Sequence, residues 1–398
     1  MEILLIIQSG DFDRGFSVQI HLAGSVIRAS LSAATDIPQL YQQWQKQYHH
    51  LPQVRRKLRI KAVEEQVLRR STVEECQIAA QQLGNRVQAW LEELPIATLP
   101  DRPLKIVIRT DHFLLRRLPW HLWSLVEASS GAAIVLETQH PLKAQPLQAP
   151  VQVLAVFGSD DGIDLSRDRE FLETLSNTEV RLLEKPTYRQ LVETLRSQSW
   201  QVLFFAGHSY GYHAEGNAEQ NATEQRSEIH INESERVSLN DLRYTLREAA
   251  RQGLQLAIFN SCDGLGLAQD AAELQIPNVI VMREPVPDEV AQEFLRVFLA
   301  ELTTGRSVEQ AIRRSRHLLT DLYGKQYPGA DWLPILCQAA GVPEVMWPQQ
   351  PRVQLSRWQR VRSQVQRWHL GVMGAIVVGL AIGLMYGMTE RQYRDRMS

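Results

Sequence analysis

The chain has 398 residues, enough for more than one core, and with 44% hydrophobic and 22% charged residues its composition excludes a disordered polymer. Lys and Arg (43) nearly balance Asp and Glu (45), and a formal charge of −2 excludes a general field for nucleic acid. Three cysteines, Cys76, Cys262 and Cys337, are too few and too scattered for a disulfide framework or a CxxC metal site, and they fit a reducing compartment.

The start, MEILLIIQSGDFD, carries Glu2 where a signal peptide would be basic and soon reaches Asp11 and Asp13, so it reads as a first strand. Apolar runs at Ile3–Ile7 and Phe16–Leu22 around QSGDFDRG predict a hairpin. A helix is expected after Pro38, with Leu40, Tyr41, Trp44 and Tyr48 near helical spacing. The basic cluster Arg55–Lys61 reads as a solvated helix face, since no aromatic residue is interleaved to stack on bases. Ser71 and Glu74 form a capping box for a helix to about Leu94, whose one face carries Cys76, Ala79, Ala80, Leu83, Val87 and Trp90. Cys76 is therefore expected in the core. LKIVIRT from Leu104 is a strand, as is Ala132–Leu136, and His121 between two tryptophans reads as a hydrogen-bonded core residue. The run PLKAQPLQAP, with Pro141, Pro146 and Pro150 and no periodicity, marks a boundary between an amino-terminal α/β domain (1–145) and a second domain (150–345).

The second segment alternates strand and helix. Strand Val151–Gly158, helix Thr187–Ser197, strand Gln201–Ala206, a hairpin at Ser227–Leu239, a helix capped by Asn240 and strand Leu254–Phe259 follow in the order that builds a largely parallel sheet flanked by helices. The polar stretch Tyr212–Arg226 predicts a mobile loop close to His208. After Cys262 a helix opens, IPNVIVM is a strand, and Asp288 is expected to cap a helix that Gly305 stops. Ser307 and Gln310 box the next helix, and WLPILCQ closes the sheet with Cys337 among apolar neighbours.

Two strands end where reactive side chains begin. VLFFAGHS stops at Gly207–His208 and LAIFNSCDG at Ser261–Cys262, and open parallel sheets bind ligands at strand carboxyl ends, so adjacent strands would bring an imidazole and a thiol together. The bland alternative is a small buried thiol and a histidine that bonds the backbone. These residues, with SCDGLGLA, IPNVIVMREPVPDEVAQEFL and PGADWLPILC, resemble the CHAT domain, a caspase-like cysteine-peptidase module. The likeness is most specific over residues 150–342, and LRRLPWHLWSL resembles the segment found before such domains.

The resemblance implies a caspase-like α/β fold in which Cys262 is the nucleophile and His208 the general acid/base. A thiol near pKa ~8.5 needs activation, which His208 and the amino terminus of the helix after Cys262 would supply. The backbone N–H groups of Cys262 and Ser209 are the expected oxyanion donors, although related caspases carry Gly where this chain has Ser209. Asp160, Asp161, Asp164 and Asp263 are candidates for an acidic pocket that takes a basic substrate residue, or they are turn and cap residues in a solvated loop. No metal or cofactor is expected.

At the other end, Leu370–Met388 lacks any charged residue, and ~20 apolar residues suffice to span a bilayer as a helix. Residues 353–369 read as a basic amphipathic helix leading into that span, with 389–398 a short tail. Five arginines before the span and three after it place the large domains in the cytoplasm. Ala375, Gly379, Gly383 and Gly387 line one small-residue face, which suits a homodimer in the membrane. The expectation is a membrane-anchored cysteine endopeptidase acting on protein substrates, against a non-catalytic caspase-like scaffold.

Overall fold

The computed structural model describes residues 1–52, 54, 73–96, 104–129, 132–141, 144–160, 163–211, 227–261, 267–268 and 274–349. Strands β1 (Glu2–Asp11), β2 (Gly15–Leu22) and β3 (Ser25–Leu31) open the chain and are followed by helices α1 (Asp36–His49) and α2 (Val73–Leu91). Next come β4 (Lys105–Thr110), short helices α3 (Phe113–Arg117) and α4 (Ser124–Ala128), and β5 (Ala133–Pro141). Then follow β6 (Val151–Phe157), α5 (Ser166–Glu173), β7 (Thr178–Glu184), α6 (Tyr188–Ser197) and β8 (Val202–Ala206). The order continues with β9 (Ser209–Gly211), β10 (Ser227–His230), β11 (Arg236–Ser238), α7 (Arg243–Gln252) and β12 (Leu256–Asn260). It ends with β13 (Asn278–Met282), α8 (Asp288–Thr303), α9 (Val308–Tyr323) and β14 (Pro334–Ala340).

One 11-stranded sheet runs β3-β2-β1-β4-β5-β14-β13-β12-β8-β6-β7, and a small sheet β11-β10-β9 stands beside the end of β8. Within the large sheet pairing is parallel except at β1–β2, β2–β3 and β13–β14, and the small sheet is antiparallel throughout. All five residues of β8, of β12 and of β13 are buried, as strands covered on both faces require; β8 is apolar throughout, and β12 and β13 are apolar but for Asn260 and Asn278. Helix α1 buries Ile37, Tyr41, Trp44 and Tyr48 at the three-and-four spacing that points one stripe inward, and it packs against α2.

The amino-terminal segment does not fold as a separate domain. Met1–Gln349 is one compact unit, and β14 joins its two halves: Cys337 pairs with Val279 of β13 on one side and Leu136 of β5 on the other. The proline-rich connector links two parts of one sheet. The span at 370–388, the juxtamembrane helix and the tail lie outside the described residues, among which no helix is long and apolar enough to cross a membrane. The Ser71 cap, the Tyr212–Arg226 stretch and the Arg55–Lys61 cluster also lie outside them.

A buried ionic cluster sits where β13 ends. Glu284, 2% exposed, accepts Tyr41 Oη at 2.6 Å, His49 Nε2 at 2.8 Å, Arg117 Nη1 at 2.8 Å and Gln45 Nε2 at 2.9 Å. Burial opposes ionisation of this carboxyl, but Arg117, His49 and Tyr41 outweigh it and hold its pKa down to about 2. His121 meets Asp331 Oδ2 at 2.9 Å, yet burial pushes the imidazole down to about 4, so at neutral pH this is a hydrogen bond to a neutral ring and not an ion pair. Both groups have depressed folded-state values, so both withdraw stability as pH falls: His121 from about 6.5 toward about 4, Glu284 from about 4.5 toward about 2. Urea unfolding at pH 7, 5.5, 4 and 3 is expected to show a loss of roughly 1.4 kcal/mol per pH unit for each group within its window. His121→Asn should flatten the upper window and leave the lower one; an unchanged upper slope would contradict the assignment.

Candidate active site

The site is set by three strands that finish level. Phe157 of β6 pairs with Ala206 of β8, which pairs with Asn260 of β12, so Gly158, Gly207 and Ser261 follow side by side at the carboxyl edge. A Cβ on Gly158 would lie 2.1 Å from the His230 carbonyl, so a glycine is required there. Gly207 has φ +150°, a left-handed conformation that L side chains rarely adopt, and a Cβ would meet the Gly158 Cα at 3.2 Å. The turn therefore delivers His208 against the small sheet. His208 is 5% exposed, its carbonyl accepts the His230 N–H at 2.9 Å, and its ring stands edge-on to His230 at 6.3 Å between centroids.

Ser209 is buried and opens β9 opposite Ile229 of β10. Cys262 and Asp263 lie outside the described residues, as does Asp161. The described chain reaches Ser261, whose Oγ is buried and has no partner among the described residues. In sequence, Cys262 is two positions beyond Asn260 and His208 two beyond Ala206, and those two residues are register partners in adjacent parallel strands.

Beside this edge lies a recess of about 320 Å³ including its open mouth, lined by Asp164, Asp168, Asn260, Ser261, Asp288 and Gln292 among others. Among the described residues no Lys, Arg or His lines it. Asp164 is exposed, and hydrogen bonds from the Ser166 hydroxyl (2.6 Å) and N–H (3.0 Å) lower its pKa and keep it ionised. Asp168 is 2% exposed and its Oδ1 accepts Asn260 Nδ2 at 3.2 Å, while Asn260 Oδ1 has no partner among the described residues. Asp160 is turned elsewhere: it pairs with Lys185 Nζ at 2.7 Å on the surface, a cation shared with Glu233. Asp288, expected as a cap, is the first residue of α8 with Pro287 in the cap position, and it lines the recess.

Asp168 and Asn260 were not among the expected site residues. The signal for Asp168 was present: it lies four residues before buried Leu172, so a carboxylate sits on the apolar face of α5. Cys76 and Cys337 are buried as expected of core thiols; burial pushes Cys76 up to about 12 and raises Cys337. No cluster of metal-ligating side chains occurs among the described residues.

A family model described as CHAT domain matches residues 60–368. Two crystal structures of the Saccharomyces cerevisiae separase–securin complex superpose with TM-scores of 0.54, at 12% and 11% identity, covering 85% and 87% of this chain. The chain spans 30% of the separase chain in each, and at this identity the likeness shows the fold alone: a separase-like, caspase-like α/β fold. A search of curated proteins found no match.

With pKa near 12 against about 8.5 for a free thiol, Cys76 holds on the order of 10³-fold less thiolate at pH 7. Iodoacetamide on the native protein should spare Cys76 and Cys337, and denatured protein should be labelled at both. Mass mapping that finds native Cys76 modified would show that this core opens.

Proposed function

The chain belongs to the CHAT domain family, and on that premise we propose that it is a cysteine endopeptidase that cleaves protein substrates after a basic residue. The observation that supports this reading is the register of β8 against β12, which sets the backbone leading to His208 beside the backbone leading to Cys262. In the proposed reaction His208 takes the Cys262 proton and the thiolate attacks the scissile carbonyl carbon. The C–N bond breaks as the imidazolium returns its proton to the leaving amine, and water then hydrolyses the thioester. The N–H groups of Cys262 and Ser209 are the proposed donors to the oxyanion.

The recess supports the basic preference. Its polar lining offers mainly acceptors: the carboxylates of Asp164, Asp168 and Asp288, and Asn260 Oδ1. A guanidinium or ammonium would add charge-assisted bonds to these carboxylates, and in a partly enclosed site such bonds are the strong ones. Of the four carboxylates read from the sequence, Asp164 belongs to this proposed pocket, and Asp160 is engaged by Lys185. Separase is complexed with securin in the neighbouring structures, and a polypeptide occupant is proposed here as well. We extend the proposal to the carboxyl terminus on sequence grounds: a span at 370–388, domains on the cytoplasmic side, and dimerisation through Ala375, Gly379, Gly383 and Gly387.

The alternative, a non-catalytic scaffold, draws on the burial of His208 and its place in the β9–β10 hydrogen bonding. Fluorogenic peptides with Arg, Lys, Ala or Asp before the cleaved bond separate the two. Turnover of Arg and Lys peptides should fall by roughly 10⁴ or more in Cys262→Ala and His208→Ala. Asp168→Asn should lower kcat/KM for Arg peptides about tenfold to a hundredfold and leave Ala peptides unaffected. Absence of turnover in full-length protein, with equal iodoacetamide reactivity of Cys262 in wild type and His208→Ala, would favour the scaffold.

A further inference from the structure

One wall of the recess, Val286, Asp288, Ala291 and Gln292, is carried by the segment Arg283–Pro287 and the first turns of α8. That segment is tied to the amino-terminal half of the chain. Every hydrogen bond described above on the Glu284 carboxylate comes from α1 (Tyr41, Gln45, His49) or from Arg117 of α3. Tyr48 Oη donates to the Pro285 carbonyl at 3.1 Å, Arg117 Nη1 to the Arg283 carbonyl at 3.3 Å, and Arg283 Nη1 to the Leu118 carbonyl at 2.8 Å. A second bond from Arg283 Nη1 reaches the Arg117 carbonyl.

A buried ionic cluster is a poor way to gain stability, because well-packed apolar residues often do as well or better. What it supplies is registry: in this placement of the loop the carboxylate meets donors from α1 and α3 at once. Glu284 lies four residues before Asp288, with the short loop Pro285–Pro287 between them, so a displacement at one end is transmitted to the recess wall.

We propose that α1 and Arg117 are positioning elements for the recess, holding the β13–α8 loop through Glu284, so that capture of a basic side chain depends on the docked amino-terminal helix. The inference rests on the peptidase reading, and the regulation it implies is that whatever displaces α1 loosens substrate binding before it touches the thiol.

The test uses full-length protein and two reagents for Cys262: iodoacetamide, and a peptidyl acyloxymethyl ketone with Arg next to the reactive carbon. The ratio of their rate constants reports the recess. It should fall about tenfold in Glu284→Gln and severalfold in Tyr41→Phe and Tyr48→Phe, with faster hydrogen–deuterium exchange over residues 284–292. A general loosening would move both rates together and spare the ratio. An unchanged ratio in all variants that fold, or unchanged exchange in that segment, overturns the proposal and leaves the peptidase reading standing. A wild type that shows no preference for the Arg reagent over its Ala counterpart overturns both.

Discussion

Three parallel strands ending at the same level are the constraint on which everything else hangs. Phe157, Ala206 and Asn260 are successive register partners, and the residues that follow them, Gly158, Gly207 and Ser261, form the rim from which the site is built. Parallel pairing is less stable per residue than antiparallel pairing and depends on cover from both faces. The complete burial of β8 and β12 meets that need. A slip of one residue in either strand would turn each side chain to the other face and separate the two strand ends. The two glycines at the rim then decide what can approach, since Gly158 admits the His230 carbonyl and Gly207 turns the chain toward the small sheet.

The parts of this fold that the sequence made plain are those with one dominant environment. Runs such as Val202–Ala206 and Leu256–Phe259 announce strands because nothing polar interrupts them, and the Ser307–Gln310 box marks α9 because both of its reciprocal hydrogen bonds are local. Edge strands were lost for the opposite reason. β3 keeps Val26 and Ile27 exposed at one edge of the sheet, and β7 at the other alternates half-buried residues with exposed charges but has no fully buried residue, so neither presents an unbroken apolar run. The connector from Pro141 to Pro150 reads as a boundary because it lacks periodicity, but whether two segments share a core is decided by long-range pairing. Here β14, nearly two hundred residues after β5, lies beside it.

The candidate site divides along the same line. His208 and Cys262 are legible because strand ends in parallel sheets are where chemistry is placed, and that logic needs only local pattern. The recess is less so, because its carboxylates come from α5, from α8 and from the loop after β6, whose meeting is a tertiary fact. Asp160 and Asp164 look alike in sequence, four residues apart in one acidic loop. The fold gives the first to Lys185 and the second to the recess.

The carboxyl edge carries an electrostatic cost. Arg117, Arg283, Glu284 and Arg316 are all buried within or near the segments that frame β13 and β14, and burial lowers Arg283 to about 10 and Arg316 to about 9, still cationic at neutral pH. Each is met by oxygen: Arg316 by the Pro334 carbonyl at 2.6 Å, Arg283 by the Leu118 carbonyl, Glu284 by four side chains. The desolvation of each ion costs several kcal/mol on an order-of-magnitude scale, offset only where geometry is good. Such an arrangement joins distant segments through directional bonds, which apolar packing alone does not provide. The recess thus takes one wall from the carboxyl-terminal half and the ties of that wall from the amino-terminal half, a second link between the two beside the β5–β14 pairing.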